Sequence, residues 1–264
     1  MDIGSILIFA MLVFTTVIVV IAIRAGRRLG YAAHLRMKDE KESQVSAISA
    51  AILGLLAFIL AFTFGMVYER YETRKALVRD DAGAIRTAYA RSDFLAEPDR
   101  DEARRLFQEY VDLRVAAVRS RDIDQVKESM TRSEQIQRRL WELAVVNARK
   151  DMNSDIGALY VESLNELIGL HWQRVAIGLQ ARIPLGIWAV LYLLVILSML
   201  GVGYQAGVSG SAKKSWATPI LAVSFSIVIT LIASLDRPNS RFIRVPQQPL
   251  MDLQTSLAVD AEAH

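Results

Sequence analysis

Four stretches of the chain contain no charged side chain, and each is about 20 residues long or longer. These charge-free stretches are residues 3–23, 45–67, 183–204 and 216–235. A helix rises about 1.5 Å per residue, so about 20 residues cross the hydrocarbon core of a bilayer, which is about 30 Å thick. The pattern predicts four transmembrane helices, called spans one to four. The chain is therefore expected to be a multi-pass protein of the inner or plasma membrane that contacts the lipid bilayer.

Span one ends in a way that distinguishes an anchor from a secretory signal. It is followed by Arg24, Arg27 and Arg28, where a signal peptide would have small residues at a cleavage site. We therefore expect span one to be retained.

The distribution of basic residues bears on orientation. The loop after span one carries six of them, which favours a cytoplasmic location for that loop. They are Arg24, Arg27, Arg28, Arg36, Lys38 and Lys41. Lys213 and Lys214 would lie on the same side, which leaves residues 68–182 outside the cytoplasm. Further Arg residues follow spans two and four and nearly balance this bias, so the side of the 68–182 segment stays open.

Residues 68–182, between spans two and three, are rich in charge but keep helical spacing. No Pro interrupts the helix that continues from span two until Pro98, and Asp99, Asp101 and Glu102 give the next helix an acidic first turn. Farther along this segment, apolar residues recur every three to four positions, as they do on one face of a helix. Residues 68–182 are therefore predicted to contain four helical segments. No window alternates as a β-strand does. The sequence predicts an all-α fold, with four transmembrane helices and a helical aqueous domain between spans two and three.

The buried face of the helix after Pro98 can also be predicted. Leu106, Tyr110, Leu113 and Ala117 recur at helical spacing, so we expect them to face the core of the aqueous domain. The predicted organisation is then spans one and two with a basic connecting loop at 1–67, and the helical aqueous domain at 68–182. Spans three and four occupy 183–235, and a short polar C-terminal tail occupies 236–264.

Composition excludes several classes of function. There is no cysteine, so no disulfide, thiolate nucleophile or Cys-ligated zinc can form. The net charge is +3, and its 31 basic and 28 acidic residues are interleaved along the predicted helices, which gives no support for a nucleic-acid partner. No nucleotide-binding or hydrolase motif is present, so we expect neither an enzyme nor a cofactor. A membrane enzyme that used Asp80 and Asp81, or Glu69 and Glu72, as acid and base would lack a partner residue.

One segment resembles part of a calcium-binding loop. Three oxygen-bearing side chains alternate, and a Glu follows at the twelfth position, as in an EF-hand. These candidate ligands are Asp151, Asn153, Asp155 and Glu162. The sixth position is Ile156 rather than the usual Gly. The alternative, which we favour, is an inter-helix turn with Asn153 or Ser154 as N-cap and Glu162 already inside the helix.

Small residues predict close packing between spans. Gly203 and Gly207 form a G-x-x-x-G pattern at the end of span three, and Ser46, Ser49 and Ala50 give span two a face of small side chains. Such faces let the backbones of two helices approach closely.

The end of span two is the candidate site for ion conduction. Phe58 and Phe62 lie one turn apart on one face, and Arg70 and Arg74 follow on the continuing helix. In a symmetric oligomer these residues would form rings, with a constriction at Phe58 and Phe62 and a positively charged mouth at Arg70 and Arg74 that attracts small anions. In a monomer the same pattern would be lipid-facing Phe and interfacial Arg.

At these residues the chain resembles the bestrophin-like family of bacterial membrane proteins. The resemblance rests on residues 56–65, Glu69-Arg70-Tyr71, Arg74, Ala82, Ala84-Ile85, Thr87-Ala88-Tyr89, Leu95, Tyr110-Val111, Arg114 and Asp236-Arg237-Pro238. It implies a four-span subunit laid out like that of bestrophins, which are pentameric anion channels with the second helix lining the pore. The resemblance thus implies a homo-oligomer, a pentamer, in a bacterial inner membrane. The chain lacks a clear acidic calcium clasp after span four.

Two functions remain as hypotheses. The first is a homo-oligomeric channel that conducts small anions, with its gate on span two. The second is a membrane sensor or scaffold in which the helical domain binds a ligand or a protein partner and no pore is needed.

Overall fold

The computed structural model describes residues 3–36, 42–120, 123–177, 182–209, 217–237 and 243–262. Within these ranges the chain is all-α and contains no β-strand, which confirms the predicted fold class. The helices are α1 (Ile3–Arg36), α2 (Glu42–Arg91), α3 (Asp99–Arg119), α4 (Ile123–Lys150), α5 (Asp155–Val175), α6 (Leu185–Val208), α7 (Ala217–Asp236) and α8 (Gln248–Glu262). A 3-10 turn at Ser92–Phe94 follows α2. Lys38, Lys41, Lys213 and Lys214 lie outside the described residues.

Among the residues that the structure describes, four helices are long and apolar enough to cross a membrane, as predicted. They are α1, α2, α6 and α7. Helix α2 continues without a break for 50 residues, which is longer than any bilayer requires. It therefore contributes both to a membrane unit (Met1–Tyr71 and Arg182–Arg244) and to a helical unit (Glu72–Ala181 and Val245–His264).

In the membrane unit, α1 and α6 pack with their backbones in contact. A Cβ atom on Gly26 or Gly30 would collide with the backbone of α6, and one on Gly203 or Gly207 would collide with the backbone of α1. The close approach predicted for the Gly203 and Gly207 pattern is therefore present. Only glycine leaves room at these four positions, because any side chain would force the two helices apart.

Hydroxyl groups join the membrane helices where no charge is available. The Oγ1 atom of Thr15 lies 2.9 Å from the hydroxyl of Tyr192, and Thr16 donates to the Oγ atom of Ser226 at 3.0 Å. On α2, Ser46 accepts a hydrogen bond from Gln205 at 3.0 Å. Ser49 lies against Gly201. The predicted small-residue face of span two thus contacts α6, although Ala50 itself is exposed.

The helical unit has its own core, formed by α3, α4, α5, α8 and the second half of α2. Its largest buried side chains include Phe107, Tyr110, Leu140, Tyr160 and Leu164. The predicted face of α3 is displaced by part of a turn. Phe107, Tyr110, Val111 and Val115 are buried, whereas Leu106 and Leu113 pack at its margin and Ala117 is half-buried.

The C-terminal segment differs from the polar tail expected for residues 236–264. It contains α8, whose Leu250, Leu253 and Leu257 are buried in the core of the helical unit. Gln254 donates to Asp112 of α3 at 2.7 Å. The spacing of three and four residues between these leucines is that of a helix face, and it was present in the sequence.

Candidate functional site

The two phenylalanines predicted to form a constriction are exposed in the single subunit. Phe58 is 67% exposed and Phe62 is 62% exposed, although both lie in the most apolar part of α2. Glycine or alanine occupies neighbouring exposed positions, at Ala57, Ala61 and Gly65. This exposed strip of α2 is a surface that another molecule, either lipid or protein, must cover.

Arg70 is engaged within its own subunit. One of its terminal guanidinium nitrogens lies 3.8 Å from Oδ1 of Asp236, which is the last residue of α7. The same carboxylate oxygen accepts a hydrogen bond from the backbone N–H of Ile183 at 2.9 Å. Asp236 is buried, and its two contacts link the middle of α2 and the end of α7 to the residues that lead into α6. Much of the positive charge of Arg70 is compensated by this carboxylate.

Arg74 does not share a face with the phenylalanines. It follows Phe58 by sixteen residues, or about four and a half helical turns, which places the two side chains on opposite sides of α2. Only 7% of Arg74 is exposed. By contrast Glu69 follows Phe58 by eleven residues, or about three turns, and is exposed. The structure thus places a carboxylate, rather than Arg70 or Arg74, in line with Phe58 and Phe62.

A buried charge network occupies the helical unit, and sequence reasoning did not predict it. Asp81 of α2 is 0% exposed, and its Oδ2 atom accepts a hydrogen bond from Arg114 of α3 at 2.8 Å and another from Arg174 of α5. Two guanidinium donors on one oxygen hold Asp81 as a carboxylate. It therefore lacks the proton that a general acid would need in the enzyme hypothesis. The network ties three helices together through one side chain.

His171 extends this network. Its Nδ1 atom lies 3.2 Å from Arg114 and 3.5 Å from the hydroxyl of Tyr110, which in turn accepts a hydrogen bond from Gln137 at 2.9 Å. Burial, reinforced by the positive charge of Arg114, lowers the pKa of His171 to about 4. The ring is therefore neutral near pH 7. The only sequence signal for the network was the placement of Asp81 and His171 within otherwise amphipathic helices.

The candidate calcium ligands form a capping turn. Oδ1 of Asp151 accepts a hydrogen bond from the backbone N–H of Asn153 at 3.1 Å, and Ser154 caps α5 by accepting from the N–H of Gly157 at 3.1 Å. Asp155 lies in the first turn of α5, and Glu162 is directed to Arg91 at 3.6 Å. These contacts favour the N-cap interpretation. In the part of the chain that the structure describes, no three His, Asp or Glu side chains converge as a metal site.

A groove runs between α4 and α5 on the surface of the helical unit, with a volume of ≈ 360 Å³. It is lined by Glu134, Gln137, Arg138, Trp141, Asn165, Ile168 and Trp172. Gln137 connects the groove to the buried network through Tyr110. The groove combines two indole rings with a carboxylate, a guanidinium and two amides, which suits a small amphipathic ligand.

Comparisons with known proteins agree on one family. A family model described as the Bestrophin-like domain matches residues 13–250. A crystal structure of a mutant bacterial bestrophin homologue from Klebsiella pneumoniae is similar to this chain with a TM-score of 0.65 at 16% identity, covering 97% of this chain and 99% of that one. Another mutant of the Klebsiella pneumoniae homologue has a TM-score of 0.61 at 18% identity, with 96% and 98% covered. No curated protein matches the chain.

Proposed function

The chain belongs to the bestrophin-like family, and from this premise we propose that it is a homo-oligomeric ion channel of a bacterial inner membrane, with α2 lining the pore. The observation that carries the proposal is the exposure of Phe58 and Phe62 on a helix that crosses the membrane. A symmetric assembly would turn this strip toward a common axis. Rings of Phe58 and Phe62 would then narrow the pore and gate it by excluding water.

Five copies around the axis are the stoichiometry that the family resemblance supports. A pore of this kind needs several subunits, whereas a lipid-facing strip needs only one. The mass of the purified protein in nanodiscs tests this directly. A pentamer supports the proposal, and a monomer would contradict it.

The pore itself is tested by ion flux from liposomes that contain the purified protein. Phe62→Ala should raise the leak, because removing a ring of phenyl groups widens and wets the constriction. Phe14→Ala is the matched control, since Phe14 of α1 is 59% exposed and lies outside the proposed pore. Equal leaks in the two variants would identify Phe62 as a lipid-facing side chain.

The permeant ions in this proposal are small anions, as the resemblance implies. Arg70 and Arg74 would contribute a positive potential near the mouth without lining it, whereas exposed Glu69 in line with Phe62 would oppose the entry of anions. Glu69→Gln should therefore raise chloride flux relative to potassium flux. An unchanged ratio would place Glu69 away from the ion path, and flux of neither ion in any variant would contradict the channel itself.

The groove between α4 and α5 favours a second candidate, a sensor whose helical unit binds a small amphipathic ligand. Ligand binding there should change the fluorescence of Trp141 and Trp172.

The side of the membrane on which the helical unit lies also separates the two hypotheses. The natural chain has no cysteine, so a single Ser120→Cys substitution gives a unique site for an impermeant thiol reagent. Labelling in intact cells favours the sensor, and labelling only after lysis favours the channel, because the resemblance to bestrophins implies that the helical domain lies on the cytosolic side.

A further inference from the structure

Helix α1 carries an exposed stripe that changes from apolar to basic along its length. Val17 and Ile21 are exposed, and Arg24 and Arg28 continue the stripe at spacings of three and four residues. All four side chains lie on one face, because residues three, four and seven apart coincide on a helix. The stripe therefore brings two guanidinium groups to the end of an exposed apolar surface.

Arg24 lies where the uncharged part of α1 ends. Residues 3–23 contain no charge and are long enough to cross the hydrocarbon core. Arg24 and Arg28 are then at headgroup depth, within reach of lipid phosphates by extension of their side chains. Tyr31, the next exposed residue of the stripe, is of the type enriched at membrane interfaces.

Both guanidinium groups belong to exposed residues of α1. Arg24 and Arg28 form no ion pair or hydrogen bond with any residue that the structure describes. A guanidinium presents parallel N–H donors that match the oxygens of a phosphate. Among the described residues no carboxylate is paired with these two arginines, so an anion from outside the subunit would complement their charge.

The helix under the stripe packs closely against α6. Another face of the same helical segment packs against α6 through Gly26 and Gly30, where the backbones touch. Arg24 and Arg28 are thus presented from a fixed helix rather than a loop. Because the backbone of this pair is already ordered, binding loses less entropy than it would on a mobile loop.

We infer that the stripe from Val17 to Arg28 binds an anionic phospholipid, with Arg24 and Arg28 on the headgroup phosphate and Val17 and Ile21 against an acyl chain. Phosphatidylglycerol has this chemistry. A free phosphate ion would use the basic end of the stripe and leave the apolar end uncovered. This inference goes beyond the proposed channel and does not rest on it.

Native mass spectrometry of the full-length protein in mild detergent tests the site, with phosphatidylglycerol and phosphatidylcholine as probes. The wild type should retain phosphatidylglycerol in preference. Arg24→Gln with Arg28→Gln should weaken that binding about 30-fold, which corresponds to about 1 kcal/mol for each basic residue near an anionic headgroup. Binding of phosphatidylcholine should not change.

Two further double variants sharpen the result. Arg24→Lys with Arg28→Lys keeps both charges and should retain most of the preference. Arg105→Gln with Arg119→Gln removes the same charge from exposed positions of α3 and should have no effect. If the first double variant aggregates, the single variants Arg24→Gln and Arg28→Gln carry the test, with an expected loss of about fivefold each.

Two outcomes would overturn the inference. One is equal binding of phosphatidylglycerol by the wild type and by the folded Gln variants. The other is displacement of the bound lipid by millimolar inorganic phosphate, which would show that the arginines recognise a free anion and that the apolar end of the stripe plays no part.

Discussion

The membrane unit and the helical unit are both built from helices, but they treat buried polar groups in opposite ways. Apart from Asp236, which meets Arg70 at the end of α7, the buried polar side chains described in the membrane unit are hydroxyls such as Thr15 and Ser226, paired with other hydroxyls or with backbone carbonyls. In the helical unit a full charge, Asp81, is buried between two arginines. Lipid makes an internal charge expensive, whereas a water-facing unit can bury one if partners satisfy it. The surroundings of each unit thus decide which polar groups hold its helices together.

The largest expected effect is the loss of the buried charge. Asp81→Ala leaves Arg114 and Arg174 without their shared acceptor and should lower the free energy of unfolding by about 3–5 kcal/mol. The matched control is Asp80→Ala, since Asp80 is exposed and its ion pair is with exposed Arg79. Urea unfolding of the detergent-solubilised protein, followed by circular dichroism, measures both. Similar losses in the two variants would mean that the buried network does not stabilise the helical unit.

The second effect depends on pH. The pKa of His171 is lowered from 6.5 to about 4 in the folded protein. Between about pH 6.5 and pH 4 the unfolded chain therefore binds a proton at His171 that the folded chain does not bind. The free energy of unfolding falls as pH drops through this range, by roughly 3 kcal/mol if the whole shift contributes. His171→Gln should flatten this dependence, which thermal melts across the range will show. Exposed His34 provides the control, and His34→Gln should leave the wild-type slope intact.

The membrane unit should respond to volume rather than to charge. Gly203→Ala places a methyl group where the backbone of α1 lies, and overpacking of this kind costs about 1–3 kcal/mol. Gly186→Ala, on the same helix but with nothing within 4 Å, should be neutral or slightly stabilising. Resistance to proteolysis in detergent reports on both. Equal resistance would show that α1 and α6 separate without penalty.

The sequence predicted some of these differences and not others. The four spans were evident because charge is excluded from lipid over a length that the bilayer fixes. The predicted buried face of α3 was displaced because two apolar stripes lie side by side on this helix. Leu106, Tyr110 and Leu113 follow one of them, and Phe107 and Val111 extend the other. The periodicity of one helix cannot show which stripe faces the core. The pairing of Asp81 with Arg114 and Arg174 joins residues more than 30 positions apart. No local pattern encodes that contact.

The predicted mouth of the pore also shows that closeness in sequence does not place residues on the same face of a helix. Arg70 and Arg74 follow the phenylalanines in sequence, and sequence proximity suggested a common function. The structure directs Arg70 to Asp236 and buries Arg74, because helical phase turns both away from Phe58. Counting residues per turn from Phe58 would have identified Glu69 instead.

The smallest effect concerns exposed ion pairs. Glu162→Gln removes the contact with Arg91 and should change stability by less than about 1 kcal/mol, since the Glu162 side chain is largely solvated. The same experiment tests the calcium hypothesis. Added Ca²⁺ should leave the melting temperature of the wild type unchanged, and a rise that Glu162→Gln abolishes would restore Glu162 as a ligand.

The position of α8 at the end of the chain delays completion of the core of the helical unit during synthesis. Its leucines complete a core whose other helices leave the ribosome earlier, and the chain between Ala181 and Val245 must be synthesised in the interval. At about 5–20 residues per second this takes on the order of 3 to 13 s, during which the apolar surface that α8 covers stays exposed. A stop codon before Leu250 would make that exposure permanent, so truncated chains should be recognised by chaperones and proteases even though all four spans have been inserted.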